Sequence, residues 1–241
     1  MDTKKQYLSL LDLAEETARS AGDHLVMTQS QIKEITHESS HDIKINADYE
    51  SEKIIIDALK IKTSFSILSE EIGFLSVNQE NSLRWIIDPL DGTVNYFEGL
   101  PISCVSIGLW ENDRPILGVI YDFIRRDLYK GIVGIGAYLN DIPIAVKQER
   151  SISKAILCTG FPVSMDFSED SLSSFMKQVS SFEKVRLFGS AAMSLAFVAS
   201  GKQMPIMKEK LSFGMLLRAW LLFKLLEELL VLKHRLKIII L

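Results

Sequence analysis

An apolar run at residues 85–87, Trp-Ile-Ile, ends abruptly in Asp88-Pro89-Leu90-Asp91-Gly92-Thr93. Such a run reads as a strand, and Asp, Pro and Gly read as the turn that stops it. Two carboxylates three residues apart at a strand end, bent by Pro89, can converge on one point. Hard cations take oxygen ligands and want more than one carboxylate. Gly92 lets the backbone approach a ligand closely, and the amides of Gly92 and Thr93 at a following helix N-terminus form an anion site. One short segment can therefore hold both a cation and an anion. Read in isolation, the same residues serve equally well as turn and cap residues.

Glu70 and Glu71 close a second apolar run, Ser-Phe-Ser-Ile-Leu. If that strand lies beside residues 85–87, the two acid groups meet. Metal ions beside an anion site and a hydroxyl-bearing turn make a device for phosphate ester hydrolysis. On its own, Ser-Glu-Glu is a solvated pair.

The rest of the chain supplies a scaffold. Leu8, Leu11, Ala14, Ala18, Ala21, Leu25 and Val26 recur at helical steps, which predicts a helix from residue 4 to about 34. A second helix is expected from Asp48, with Ile54, Ile55, Ile56 and Leu59 as its buried stripe. A short helix follows Gly92. Residues 102–140 read as sheet strands with Gly-containing turns, and residues 154–201 as a further strand, helix, strand and small-residue helix. His24, His37 and His41 are scattered and expected to face solvent. Cys104 and Cys158 sit in apolar patterns and are expected as core thiols, with Trp110 and Phe123 as packing aromatics. Two cysteines are too few for a disulfide framework, and residues 1–16 do not read as a signal peptide, so a cytoplasmic protein is expected.

The net charge of -4 argues against a nucleic-acid partner held by bulk electrostatics. That figure hides two populations. Residues 202–241 hold eight Lys and Arg against three Asp and Glu, a net of +5, which leaves 19 basic against 28 acidic side chains, -9, in the first 201. The last 27 residues hold 11 leucines, interrupted by Arg218, Lys224, Glu227, Glu228 and Lys233, so a membrane-spanning helix is not expected there.

The segment from Trp85 through Asp88-Pro89-Leu90-Asp91-Gly92-Thr93 resembles the signature of the inositol monophosphatase family, the Mg²⁺-dependent, lithium-sensitive sugar-phosphate phosphatases. Ile-Leu-Ser-Glu-Glu stands about 18 residues upstream, as in the family. Asp42-Ile43-Lys44-Ile45-Asn46-Ala47-Asp48 resembles its upstream acid motif, and residues 189–202 its second-domain helix motif. The resemblance spans roughly residues 42–202. It implies an α/β (α+β) fold, a layered αβαβα sandwich whose C-terminal part is incomplete here. It implies Mg²⁺ held by Glu70, Asp88, the Leu90 carbonyl and Asp91, and catalysis by Glu70, Thr93 and Asp48. It implies phosphate on the amides of Gly92 and Thr93, a sugar or inositol ring facing Gly189, Ser190 and Ala191, and Glu71 supporting the metal ligands from behind. The substrate is expected to be a phosphorylated sugar or inositol. Fructose 1,6-bisphosphate, histidinol phosphate and 3'-phosphoadenosine nucleotides are alternatives. No nucleic-acid or membrane partner is expected, and a family-type homodimer is possible. A catalytically inactive remnant or binding protein is a reading of another class.

The family pattern stops after Lys202. Its Tyr-Tyr-Glu and Trp-Asp-x-Ala-Ala-Gly motifs are missing, and no Asp follows Asp170. The Trp-Asp aspartate is a family metal ligand, so impaired activity is expected. Codons for residues 213–220, read one base out of frame, can spell Trp-Asp-Val-Ala-Ala-Gly-Met, so a single-base frameshift near Gly201 accounts for the tail. The expected organisation is an N-terminal α+β unit at 1–150 carrying the site, a partial α/β unit at 151–201, and a non-family tail at 202–241, with a soft boundary at 148–153.

Overall fold

Apolar and small side chains at three- and four-residue steps build the first helix, α1 (Thr3–Thr28), which buries Leu11, Ala14, Ala18, Ala21 and Leu25. The computed structural model describes residues 3–30, 35–38, 43–76, 82–112, 114–146, 152–160 and 167–202. Helix α1 stops at Thr28, whose hydroxyl donates to the His24 carbonyl across 2.8 Å, so it is shorter than the periodicity predicted. A small antiparallel hairpin follows, β1 (Ile35–Glu38) and β2 (Ile43–Ile45). Its strands, four and three residues long, are too short to register as a periodicity in the sequence.

Helix α2 (Asn46–Lys62) begins two residues before Asp48. The Asp48 carboxylate reaches back to accept the Ile45 N–H at 2.8 Å, satisfying a first-turn amide. Its buried face runs Asp48, Ser51, Glu52, Ile55, Ile56, Leu59, so the helix points polar groups inward at one end and apolar groups at the other.

The sheet then forms from β3 (Ser66–Ser69), β4 (Gly73–Leu75) and β5 (Leu83–Asp91). The short helix α3 (Thr93–Glu98) follows, and after it β6 (Cys104–Glu111), β7 (Arg114–Asp122), β8 (Asp127–Ile132), β9 (Gly136–Leu139) and β10 (Ile142–Ile144). The strand order is β10-β9-β8-β7-β6-β5-β3-β4. All neighbours are antiparallel except β3 and β5, which are parallel, with Ser69 opposite Ile87. That pairing places Glu70 and Asp88 at the same end of adjacent strands. Strand β5 is buried along residues 85–90, as a central strand covered on both faces should be.

Pro89 was expected to end this strand, yet β5 continues to Asp91. The register against β6 slips between Asp88, opposite Ser106, and Asp91, opposite Cys104, so Pro89 and Leu90 form a bulge. Proline has no N–H for the ladder and is tolerated at such a bulge. The Pro89 carbonyl is taken by the Ser51 hydroxyl at 2.7 Å.

Period-two alternation sorts the sheet residues into two cores. Leu117, Val119 and Tyr121 face α1 and α2. Ile120 and Tyr129 face the other way, onto α5 (Ala191–Ala199), which packs Ala192, Met193, Ala196 and Phe197 against them. Between β10 and α5 lie a 3₁₀ turn (Ile152–Lys154), β11 (Ile156–Thr159), α4 (Glu169–Val179) and β12 (Lys184–Leu187). Strands β11 and β12 pair in parallel, and α4 covers them with Phe175 and Val179 on Leu157. The layers are therefore helices, large sheet, helix, small sheet and helix. Each fully buried aliphatic or aromatic side chain in such layers contributes roughly 1.5–3 kcal/mol.

Cys104 and Cys158 are both buried free thiols, and Trp110 and Phe123 are buried packing residues. His24 departs from its expected solvent-facing role, because its Nε2 pairs with Glu50 Oε2 at 2.8 Å and joins α1 to α2. His41, Asp42, most of the expected boundary at 148–153 and the tail from residue 203 lie outside the described residues. Among the described residues no helix is long and apolar enough to cross a membrane.

Candidate active site

Three element ends meet at the bulge of β5. Gly92 caps α3 with φ +94°, and a Cβ there would stand 2.8 Å from the Ile102 carbonyl oxygen, so only glycine fits. The tight turn brings Thr93 back over the bulge. Its hydroxyl lies 2.9 Å from Asp48 Oδ1 and 3.1 Å from the Leu90 carbonyl. The first turns of α2 and α3 are thereby joined through two side chains far apart in sequence. The first amides of α3 have no acceptor within the helix.

Asp48 is almost fully buried. Burial pushes its carboxyl up to about 7, the charges of Glu71 and Glu70 add to the rise, and hydrogen bonds from the Ile45 amide and the Thr93 hydroxyl oppose it. A carboxyl in that range is matched to proton transfer at neutral pH. The Glu70 and Glu71 carboxylates are thus near enough to Asp48 for their charges to be felt there.

Asp88 is buried, with its Oδ1 accepting the Leu90 N–H at 3.3 Å. Asp91 is engaged from the opposite side. Its Oδ2 accepts from the Ser190 hydroxyl and the Ala192 N–H, each at 2.6 Å, and Oδ1 from the Ala191 N–H at 3.4 Å. A carboxylate at a helix N-terminus is well placed electrostatically. The fold thus brings Ser190 and Ala191, about 100 residues downstream, onto the acid of the Asp88–Asp91 segment. Gly189 supplies φ +70° for the turn into α5, and Ser190 caps it, accepting the Met193 N–H at 3.2 Å.

Among the described residues, no group of three or more His, Cys, Asp or Glu side chains is arranged to hold a metal ion, and Asp91 instead takes the donors of α5. The donor chemistry nonetheless suits a hard divalent cation. Glu70, Asp88, Asp91 and the Leu90 carbonyl offer only oxygen. The one soft candidate, Cys104, lies 3.9 Å from Asp91 Oδ2, and burial with the Asp91 and Asp88 charges pushes its thiol well above the usual range, so it stays protonated.

Three supporting residues were missed in the sequence. Ser51 and Glu52 lie one turn after Asp48 on the buried face of α2, where Ser51 holds the Pro89 carbonyl and Glu52 accepts from the Ser69 hydroxyl and, at 3.2 Å, the Ile72 N–H. Polar residues inside a helix's apolar stripe were the available signal. Asn95, buried in α3, bonds the carbonyls of Ile102 and Phe188. Its only signal was an amide side chain beside the buried Tyr96.

Comparison with known proteins agrees with this architecture. Residues 7–211 match the inositol monophosphatase family. An inositol-1-monophosphatase of Synechocystis sp. is 35% identical over 195 residues, 80% of this chain and 68% of that protein. Nus factor SuhB of Pasteurella multocida is 33% identical over 200 residues, 80% of this chain and 73% of that protein. The structure of an inositol monophosphatase from Anabaena superposes with a TM-score of 0.78 at 35% identity, covering 91% of this chain and 82% of that one. With residues 7–211 matched, the chain belongs to the inositol monophosphatase family, and with it to the metal-dependent phosphomonoesterases that act on phosphorylated small molecules.

Proposed function

We propose that this chain's site hydrolyses a phosphate monoester of inositol or a related sugar in the presence of Mg²⁺, with activity weakened by the loss of a C-terminal metal-ligand Asp. The observation that carries the reading is the Thr93 hydroxyl held on a buried Asp48 beside the Gly92 turn. The Mg²⁺ would be held by Glu70, Asp88, the Leu90 carbonyl and Asp91, and when bound it stabilises negative charge on phosphate oxygens and lowers the pKa of water. Thr93 Oγ1 accepts a proton from the attacking water as it passes its own to Asp48 Oδ1. Asp48 must be ionised for this, and its raised pKa makes it a base strong enough to take the proton at neutral pH. The amides of Gly92 and Thr93 bind the phosphate and stabilise charge as it develops. Gly189, Ser190 and Ala191 orient the ring.

The test is phosphate release by the purified 241-residue chain from inositol 1-phosphate, fructose 1,6-bisphosphate and adenosine 3',5'-bisphosphate, with MgCl₂ titration and an EDTA control. Preference for inositol 1-phosphate, abolished by EDTA, supports the reading. Preference for either bisphosphate moves the substrate within the family. No release at any Mg²⁺ concentration makes the chain an inactive remnant.

A further inference from the structure

Asn95 lies in the first turn of α3 and is only 8% exposed. Its Nδ2 donates to the Ile102 carbonyl and to the Phe188 carbonyl, each at 2.7 Å. Two acceptors at one nitrogen use both hydrogens and fix the orientation of the amide, because the flipped form sets oxygen against two carbonyls. Gly189 packs on the same group: a Cβ there would stand 3.0 Å from Nδ2 and 3.1 Å from Oδ1.

The two carbonyls belong to the two halves of the site. Ile102 sits in the loop that backs Gly92. That loop is also held by Arg125, which donates to the Pro101 carbonyl at 2.9 Å while pairing with the buried Asp122 at 2.7 Å. Phe188 precedes the turn into α5, whose Ser190 hydroxyl and Ala192 amide grip Asp91.

We infer that Asn95 is a positioning residue that couples the phosphate-binding turn at 92–93 to the N-terminal end of α5, holding both halves of the site in one geometry. What is positioned rests on the phosphatase reading; the coupling does not depend on any reaction. The Asn95→Asp variant keeps the shape and turns two donors into acceptors facing two carbonyls.

The experiment is hydrogen exchange on the full chain, with steady-state kinetics on inositol 1-phosphate beside it. Asn95→Asp should speed exchange about tenfold both at residues 188–192 and at residues 100–103, with central amides of β6 and β7 unchanged. Unchanged exchange at either loop overturns the coupling. If Asn95→Asp does not fold, Gly189→Ala strikes the same contact from the other side. It then has to loosen residues 100–103 as well as its own loop, and a change confined to 188–192 overturns the proposal. In kinetics Asn95→Asp should raise KM about tenfold with a smaller fall in kcat, because Thr93 and Asp48 are untouched. A fall in kcat at constant KM, as from a smaller folded fraction, overturns the positioning role. A wild-type chain that releases no phosphate defeats the phosphatase reading and leaves the exchange result to judge the coupling.

Discussion

Thr93 Oγ1 donates to Asp48 Oδ1 across 2.9 Å, and this one bond ties the start of α3 to the start of α2. Removing either partner should separate catalysis from folding. Thr93→Ala and Asp48→Asn are each expected to lower kcat by about 10²–10⁴. In Asp48→Asn the amide oxygen can still accept the Ile45 N–H. At pH 4.5, where the wild-type Asp48 holds its proton, thermal unfolding of both variants should stay within a few degrees of the wild type, and an equal loss of folded protein and activity would argue against a proton-transfer role.

The raised Asp48 carboxyl has a defined effect on stability. Its folded value of about 7 lies above the ordinary 3.8, so between the two the folded chain holds a proton that the unfolded chain has released. Stability from this group is complete below about pH 4 and is lost as pH rises through about 7. Urea unfolding in EDTA at pH 4.5, 5.5, 6.5 and 7.5 should show a loss of roughly 2–4 kcal/mol across that window. Asp48→Asn should remove this component of the slope; an unchanged slope would place its origin elsewhere.

Gly92→Ala meets two obstacles at once, a φ of +94° and a backbone oxygen 2.8 Å from the new methyl group. Neither can be relieved by a side-chain rotation. The cost should be about 2–3 kcal/mol in denaturant midpoint analysis, with phosphate release lost. A variant as stable as the parent would show that the turn can be rebuilt.

Gly22 sets helix propensity against packing. Alanine is favoured over glycine in a helix by about 1 kcal/mol. Here its methyl group would stand 2.6 Å from the Tyr121 ring and 2.8 Å from Phe123 Cβ. Tyr121 cannot easily step aside, since its hydroxyl donates to Asp23 at 3.2 Å and Arg19 lies over its ring. Overpacking at about 1–3 kcal/mol outweighs the propensity gain, so Gly22→Ala should be destabilising on balance. A rise in Tm would mean that α1 lifts off the sheet at little cost.

The tail is testable at the nucleic-acid level. If residues after about 202 come from a shifted frame, the codons of Phe213, Gly214 and Met215 read TTT-GGG-ATG, the one combination that spells Trp-Asp one base over. Codons unable to do so remove the frameshift explanation. Where they agree, restoring the frame should raise Mg²⁺-dependent hydrolysis above that of the present chain.

Much of the scaffold was legible in local pattern. The small-residue stripe of α1, the apolar stripe of α2 and the small-residue helix α5 were written in residue spacing, and parallel pairing of β3 with β5 puts Glu70 and Asp88 at the same end of adjacent strands. The Pro89 bulge was not. A proline after an aspartate reads as a strand end, and only the Ser51 hydroxyl on the Pro89 carbonyl and the register against β6 show that the strand carries on. The hairpin of β1 and β2 and the short β4 and β10 were missed for the same reason: three or four residues carry too little periodicity, and pairing partners decide them.

The amino-acid sequence by itself determined the chemistry available: carboxylates at a strand end, a glycine turn, a hydroxyl beside it and the family these imply. Tertiary structure alone decided which of those groups meet. Burial of Asp48 among other acids sets its proton affinity, Asp91 is claimed by a helix start about 100 residues away, and Asn95 bridges two loops that no local pattern relates. Those outcomes depend on desolvation and on distances between segments remote along the chain, and residue order carries neither until the sheet is folded.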